Sequence, residues 1–287
     1  MAGAARDFGS FFDSWELFRD PALTGAIAGL VLGFLGVYVI ARRMVFLSAA
    51  LSQCAGLGVA LAFYGQAHWG LSGIAGSPRI GALVVTLATA LLLTMDRKPA
   101  ATRRDSLLGL AFLLGSAGTL AISTRILHET QDIQSLLFGT AVTVLPEEFR
   151  FVLYTALAMI ALHLWWVRGF LQISTDPDSA AVRGLPVRLL DATLLLSLAL
   201  AISLFTQVLG ALPVFAFSVL PAMAALRVSI HLKMAILVAG IGGAASGFLG
   251  YLAAFQYELP VGASQTLVGI GLVLLAEMIR RLTLRAP

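Results

Sequence analysis

The sequence has 287 residues, of which 59% are hydrophobic and 12% are charged, and its formal net charge is +4. A soluble domain carries about 25% charged residues, so this chain has too few charges to cover a water-facing surface of its size. Its mean hydropathy of +0.92 agrees with that conclusion. Composition therefore excludes an ordinary soluble protein and predicts an all-α, polytopic membrane protein.

The charged residues lie in short runs between apolar segments, a pattern typical of membrane loops and unlike a surface that binds nucleic acid. Residues 1–20 contain acidic side chains and no basic stretch leading into an apolar core, which argues against a cleavable signal peptide. Aromatic residues there predict a short interfacial helix ahead of a single transmembrane domain over residues 21–287. These aromatic residues are Phe11, Phe12, Trp15 and Phe18.

Apolar segments follow one another along the chain, and all but the short third one reach the length of about 20 residues that crossing a bilayer takes. They are residues 21–41, 45–64, 80–95, 106–124, 149–167, 192–226, 234–256 and 259–279. As one helix, residues 192–226 would extend about 50 Å against a core of roughly 30 Å. The sequence therefore predicts a break near Gly210 to Pro213, and Pro221 predicts a second break or kink. The weaker apolar segment 135–145 is too short to span.

Lysine and arginine occur mainly in alternate loops, which allows an orientation to be predicted. These basic loops are residues 42–43, 97–104, 168–188, 227–233 and 280–285. The positive-inside rule places them in the cytoplasm, with the N-terminus outside and the C-terminus inside. That requires nine crossings, or eight if the segment around Pro213 is re-entrant. Gly25, Gly29 and Gly33 recur every fourth residue and predict close helix packing.

The second apolar segment carries polar residues. Ser48 and Ser52 are four positions apart and share one helix face, as do Ala49 and Gln53. Polar groups within a span are costly and usually face the interior of the bundle. We therefore expect these residues and the adjacent Cys54, the only cysteine of the chain, to line any substrate path.

These features alone leave a transporter, a channel and an intramembrane enzyme open. An intramembrane enzyme needs a metal pair, a Ser/His dyad or paired aspartates within its spans. The sequence has no HExxH motif, its four histidines are scattered, and the span interiors contain essentially no carboxylate. No charged ring or filter-like repeat points to an ion channel.

Five stretches, in order and with matching spacing, resemble the permease subunit of ATP-binding-cassette importers for zinc, manganese or iron ions. They are GLVLGFLGVYVIARRMVFLSAALSQCAGLGVALAF (29–63), DIQSLLFGTAVTVLPEEF (132–149), TDPDSAAVRGLPVRLLD (175–191), VLGALPVFAFSVLPAMAA (208–225) and YELPVGAS (257–264). The resemblance covers about residues 22–282. It implies an importer-permease bundle of eight to nine transmembrane helices in a bacterial plasma membrane.

The resemblance also implies partners and cargo. It implies a homodimer of permeases in the bilayer, fed by an extracellular solute-binding protein and resting on separate ATPase subunits that bind ATP. The cargo would be a divalent metal ion, with zinc expected first and manganese or iron as alternatives. The chain has no GxxxxGK[ST] loop, in agreement with a separate ATPase, so we expect no catalytic residue and no cofactor in it.

The loop at about residues 169–190 resembles the family's cytoplasmic loop, in which an Asp-Pro pair precedes a short helix and a Gly-Leu-Pro turn. The resemblance implies that this helix sits in a cleft of the ATPase and transmits its closure to the membrane. The residues expected to couple are Asp176, Pro177, Asp178, Arg183, Gly184, Leu185 and Pro186. Without the resemblance, they also fit an ordinary interhelical loop with turn residues.

The second span departs from the family pattern, which usually reads Gly-Asp-Ala-Leu-Ser-His-Ala where this chain has Ser48 to Cys54. The usual Asp and His, four apart on one face, suit a divalent cation. Ala49 and Gln53 stand in their places. Alanine cannot bind a metal, whereas the amide oxygen of Gln53 is a candidate metal ligand, though a weak and neutral one. Cys54 could bind zinc as a thiolate, but it lies about 100° around the helix from Gln53.

Three interpretations stay open. The ion passes with part of its water shell through a pore lined by Ser48, Ser52 and Gln53. Alternatively, Cys54 and its symmetry mate in a second protomer supply the ligands. In the third, the same fold carries a non-metal or a metal complex. Among the histidines, His163 beside two tryptophans is expected at the membrane interface, and His128 with Glu129 and Asp132 is expected in an external, solvated loop.

Overall fold

The computed structural model describes residues 8–74, 76–95, 101–126 and 144–283. Within these ranges the regular elements are all α-helices. They are α1 (Phe8–Asp13), α2 (Trp15–Ala41), α3 (Val45–Trp69), α4 (Pro78–Met95), α5 (Ala101–Ser123), α6 (Pro146–Trp165), α7 (Val167–Thr175), α8 (Pro177–Val182), α9 (Val187–Leu209), α10 (Ala211–Val228), α11 (Leu232–Tyr257) and α12 (Val261–Thr283). The predicted external residues His128, Glu129 and Asp132 and most of the segment 135–145 lie outside the described residues.

The predicted all-helical, multi-span fold is confirmed. Eight helices in the described ranges are long and apolar enough to cross a membrane, namely α2, α3, α5, α6, α9, α10, α11 and α12. Helix α4 is a shorter apolar helix and corresponds to the predicted segment 80–95. The count therefore agrees with the predicted eight to nine.

The long apolar stretch breaks where its glycine predicts. Gly210 separates α9 from α10 and has a φ of 95°, a conformation that glycine adopts because it has no Cβ. Pro221 does not break the chain a second time, since α10 continues on both sides of it.

The helices form two compact units. One comprises the described residues of 1–37, 138–157 and 208–287, and the other comprises those of 38–137 and 158–207. The boundaries fall within α2, α6 and α9, so each of these helices contributes to both units.

In the first unit, α2 and α11 pack with their backbones in contact along the predicted ridge of small residues. The facing pairs are Gly25 with Gly247, Gly29 with Gly243 and Gly33 with Ala239. A Cβ on Gly29 or Gly33 would collide with the carbonyl oxygen opposite it, and a Cβ on Gly25 would lie 3.2 Å from the carbonyl oxygen of Gly247 and 2.6 Å from Nε2 of Gln265. Small residues allow this close approach, which favours helix association in lipid. Helices α10, α11 and α12 pack against one another in the same unit.

Helix α1 docks onto α11 through aromatic side chains. Phe11 is fully buried, and its ring centroid lies 6.3 Å from that of Tyr251 and 5.3 Å from that of Phe255. The most buried aromatic residue of the predicted interfacial helix therefore contacts protein. Helix α2 begins at Trp15, within the predicted N-terminal segment, and the boundary proposed at residue 20 stays a prediction.

In the second unit, α3 packs against α4 and α5. Gly58 of α3 and Gly81 of α4 approach so closely that a Cβ on either would collide with the carbonyl oxygen of the other. A Cβ at Gly118 of α5 would lie 2.8 Å from a methyl group of Leu57 on α3. These contacts hold α3, the helix with the predicted path residues, between two neighbours.

Candidate functional site

The polar residues of α3 are buried. Ser48 and Ser52 are inaccessible to solvent, and Gln53 is half-buried. The two hydroxyl oxygens and Oε1 of Gln53 are enclosed without a hydrogen-bond partner from the described part of the chain. Buried oxygens in folded proteins almost always have a partner, whether protein or water. These three oxygens therefore mark two adjacent faces of α3 where water or a ligand can complete the hydrogen bonding.

Helix α5 fixes the position of Gln53. A Cβ at Gly115 would lie 2.7 Å from the carbonyl carbon of Gln53 and 2.9 Å from its Cβ, so this crossing requires glycine. Ala49, one turn earlier on the Gln53 face, is also buried. Of the two positions at which the resembling family has an Asp and a His, Ala49 is buried and Gln53 is set by a tight crossing with α5.

Cys54 is held between α4 and α5. Its thiol donates a hydrogen bond to the carbonyl oxygen of Ala111, with the sulfur 3.6 Å from that oxygen. The sulfur lies 3.5 Å from the hydroxyl of Thr89, which is also 2.8 Å from the carbonyl oxygen of Val85. In the described ranges, no group of three or more His, Cys, Asp and Glu side chains is arranged to hold a metal ion.

Helix α9 carries a second set of buried polar side chains that the sequence analysis did not single out. Oxygens of Ser203, Thr206 and Gln207 are enclosed there with no partner among the residues that the structure describes. The amide nitrogen of Gln207 donates to the carbonyl oxygen of Ser203 at 3.0 Å. The signal was present in the sequence, because a spacing of three and four places all three side chains on one face of an apolar helix.

The short helix α8 begins with a side-chain cap. Oδ1 of Asp176 accepts a hydrogen bond from the backbone N–H of Ser179 at 3.0 Å, and Pro177 occupies the first helical turn. Proline suits this position because its missing N–H would have no partner there. Hydrogen bonds from Ser179 hold the pKa of the Asp176 carboxyl below its usual value, and the nearby charge of Arg183 adds a smaller effect.

The exit from α8 is closed by a glycine turn. Gly184 has a φ of 79°, and its N–H donates to the carbonyl oxygen of Ala181 at 3.0 Å. The N–H of Leu185 donates to Ala180 at 3.1 Å. This pattern is a common helix C-cap, in which glycine takes the left-handed conformation.

The structure brings the seven predicted coupling residues together in one exposed loop between α7 and α9. Leu185 is half-buried and the other six are exposed. Ala180 anchors α8 with 1% of its surface exposed, whereas Val182 is 91% exposed. The loop therefore contains a locally fixed helix whose outer face is exposed.

The sequence model described as the ABC 3 transport family matches residues 14–280, nearly the whole chain. The chain belongs to this family. ABC 3 proteins are membrane permease subunits of ATP-binding-cassette transporters, and ATP hydrolysis takes place on a separate subunit. The resemblance to metal-importer permeases that was noted in the sequence is thereby confirmed.

Other members of the ABC 3 family are similar over most of the chain. The manganese transport system membrane protein MntC of Halalkalibacterium halodurans is 27% identical over 269 residues, which cover 93% of this chain and 89% of that protein. The high-affinity zinc uptake system membrane protein ZnuB of Haemophilus influenzae is 25% identical over 214 residues, 74% of this chain and 78% of its own.

The fold of this ABC 3 permease also matches a solved structure, PsaBC from Streptococcus pneumoniae in complex with Fab. The TM-score is 0.80 at 23% identity, and the match covers 94% of this chain and 95% of that chain. The likeness establishes the multi-span permease fold.

One histidine of the ABC 3 permease has buried contacts that the sequence did not indicate. His163, expected at the membrane interface, is fully buried. Its Nδ1 lies 2.9 Å from the carbonyl oxygen of Met159, and its Nε2 lies 3.2 Å from Oγ of Ser197 on α9. Its depth relative to the membrane interface stays a prediction, and its contact with a neighbouring helix of the same unit is not revealed by position in the sequence.

Proposed function

We propose that the chain is the membrane permease of an ATP-driven importer that carries a divalent transition metal ion across the bacterial plasma membrane. Support comes from the family match over residues 14–280 and from relatives named for manganese and for zinc. Zinc is the first cation to test, as the sequence predicts, with manganese and iron as competitors. Neutral oxygen and sulfur groups on α3 do not by themselves select one of the three.

The proposed assembly contains two copies of the chain, two ATPase subunits and an extracellular solute-binding protein. The ATPase is separate in this family. The homodimer and the binding protein follow from the resemblance of the five sequence stretches. The arginine-rich C-terminal end of α12 and the loop between α7 and α9 lie on the predicted cytoplasmic side, where an ATPase would bind.

We assign ATPase coupling to the loop at about residues 169–190. Helix α8 supports this role because it is capped at both ends, so a force on its exposed face moves it as a unit. A charge exchange between Asp178 and Arg183, which are both exposed, is expected to lower the substrate-stimulated ATPase rate of the assembled complex. If assembly and stimulation are both normal, these residues do not couple.

The unpartnered buried oxygens of Ser48, Ser52 and Gln53 support a substrate path along α3. Waters bound to a cation turn their hydrogens outward, and these oxygens are suitable acceptors for such hydrogens. A bare dication, by contrast, would find no carboxylate on this face, and its dehydration would be very costly. We therefore infer that the ion passes this point with part of its water shell.

The test is reconstitution of the chain with its ATPase and binding protein in proteoliposomes. Uptake of zinc or manganese that requires ATP and the ATPase supports the proposal. Hydrolytic activity of the purified chain alone would contradict the proposal. Replacing Ala49 by Asp together with Gln53 by His restores the family's ligand pair and is expected to change the metal preference or the uptake rate. If neither changes, this face of α3 does not select the ion.

A second candidate cargo is a metal complex or a non-metal solute, carried by the same fold. The observation that favours it is the neutral character of α3, where Ala49 and Gln53 replace the usual Asp and His. Uptake of a zinc chelate labelled in its organic ligand distinguishes the two. Entry of the labelled ligand with the metal supports this candidate, whereas entry of metal alone excludes it.

A further inference from the structure

Four structural elements of the second unit meet at His163. The residue belongs to α6, and its ring centroid lies 5.1 Å from that of Phe170 on α7 and 6.0 Å from that of Tyr38 at the end of α2. The rings of Tyr38 and Phe170 are 6.1 Å apart, so the three form a closed aromatic group. All three residues are fully buried. Ser197 of α9 completes the group through its hydroxyl.

The hydroxyl proton of Ser197 has two possible acceptors, Nε2 of His163 and the carbonyl oxygen of Leu194. A carbonyl oxygen only accepts, so Nδ1 must donate to Met159, and in the neutral ring Nε2 is then an acceptor. The hydroxyl of Ser197 lies 3.2 Å from this nitrogen and 2.9 Å from the carbonyl oxygen of Leu194 in its own helix. Because the hydroxyl has a single proton, it bonds either across to α6 or back within α9.

The bond between His163 and Ser197 lies between the loop at about residues 169–190 and the buried polar side chains of α9. Those side chains are Ser203, Thr206 and Gln207. Helix α7 packs against α8, and a Cβ at Gly169 of α7 would lie 3.2 Å from the side chain of Leu190 on α9. Along α9, Ser203 follows Ser197 by six residues, about 9 Å at 1.5 Å per residue. Movement of α7 therefore reaches Phe170 and His163 directly, and α9 links Ser197 rigidly to the buried oxygens near Ser203.

We propose that His163 is a positioning residue for transport, which joins α6 to α9 through Ser197 and holds α9 in register with the ATPase-facing loop. When the loop moves, the Phe170 ring displaces His163, the Ser197 proton turns to Leu194, and α9 is free to shift. The role rests on the proposed function, because coupling requires an ATPase that acts on this loop. Energetic coupling between sites needs such an element with two discrete arrangements.

The experiment uses the full importer in proteoliposomes and measures both metal uptake and ATP hydrolysis. Ser197→Ala and His163→Phe each remove the bond and are expected to lower the metal transported per ATP about fivefold, the shift that loss of one hydrogen bond gives to a two-state equilibrium. Ser197→Thr keeps the hydroxyl and should retain the wild-type ratio. Thr193→Ala, which removes a hydroxyl that donates to the carbonyl oxygen of Leu189 in the same helix, is the matched control.

The double variant decides whether the two residues act through one bond. If they do, His163→Phe with Ser197→Ala lowers the ratio no further than either change alone. Additive losses, or an unchanged ratio with a lowered melting temperature, would overturn the proposal and leave a purely structural role. Should His163→Phe fail to fold, Ser197→Ala and Ser197→Thr still decide the question. If the wild-type importer moves no metal, the proposed function fails first and the role of His163 in coupling fails with it.

Discussion

Arg42 and Asp191 form an ion pair that joins the turn after α2 to the second turn of α9, across 149 positions of sequence. Their side chains are 13% and 27% exposed, so the pair is partly shielded from water. Since α9 begins where the coupling loop ends, the pair anchors the exit of that loop to a second helix. Both residues lie on the predicted cytoplasmic side.

Breaking this pair is expected to destabilise the chain. Asp191→Asn leaves the buried guanidinium of Arg42 without its charged partner and should lower the free energy of unfolding by about 1–2 kcal/mol, between the values for exposed and fully buried pairs. Thermal unfolding of the purified chain in detergent measures the change. The exchanged pair, Arg42→Asp with Asp191→Arg, should recover part of the loss. An unchanged melting temperature in Asp191→Asn would show that the pair contributes nothing.

Removal of the Asp176 cap is expected to loosen α8. Asp176→Ala should raise amide hydrogen exchange over residues 177–183 by about threefold or more, while Asp176→Asn, another strong N-cap, should not. Asp178→Asn is the control, since its carboxylate lies in the same turn outside the cap. Because the pKa of Asp176 is lowered in the folded chain, the cap is intact at neutral pH and is lost as pH falls through that lowered pKa. Lowering the pH should therefore raise hydrogen exchange in α8 of the wild type and leave the exchange of Asp176→Asn unchanged.

Because α2 and α11 are in backbone contact, we expect alanine to destabilise the chain at a glycine in that contact and to be tolerated at a glycine outside it. Gly29→Ala places a methyl group against the carbonyl oxygen of Gly243, and backbone cannot move aside, so we expect a loss of about 3 kcal/mol or failure to fold. At Gly271 of α12 a Cβ meets nothing within 4 Å, so Gly271→Ala should be neutral or slightly stabilising. Yield and melting temperature in detergent measure both. Equal losses would contradict the packing argument.

Replacing Cys54 tests whether its thiolate binds the ion or whether the ion passes a pore lined by Ser48, Ser52 and Gln53. Its bonds to α4 and α5 predict a packing role, so Cys54→Ala should keep metal uptake within about twofold of wild type, as expected for a small buried side chain. A membrane-impermeant maleimide should leave the thiol of Cys54 unlabelled, because the residue is buried. Loss of uptake in Cys54→Ala with normal folding would instead support a thiolate ligand. Mass spectrometry and a transport assay provide the two measurements.

Much of the architecture was predictable because it depends on local composition. Long apolar runs must become helices in a membrane, where every backbone polar group needs an internal partner. The four-residue spacing of Gly25, Gly29 and Gly33 and the break at Gly210 follow from residues close in sequence. The cap by Asp176 and the glycine turn at Gly184 likewise belong to one short stretch of chain.

Tertiary structure alone decided the partners of polar groups that are distant in sequence. Nothing local shows that His163 meets Ser197, or that Arg42 pairs with Asp191, because each depends on how helices align across more than thirty positions. The same holds for Ser203 and Thr206, whose polar spacing was visible but whose burial was not. Long apolar runs determine which segments become helices. The direction in which their few polar side chains point is decided only when the helices pack, because an unpaired polar group in contact with lipid is too costly.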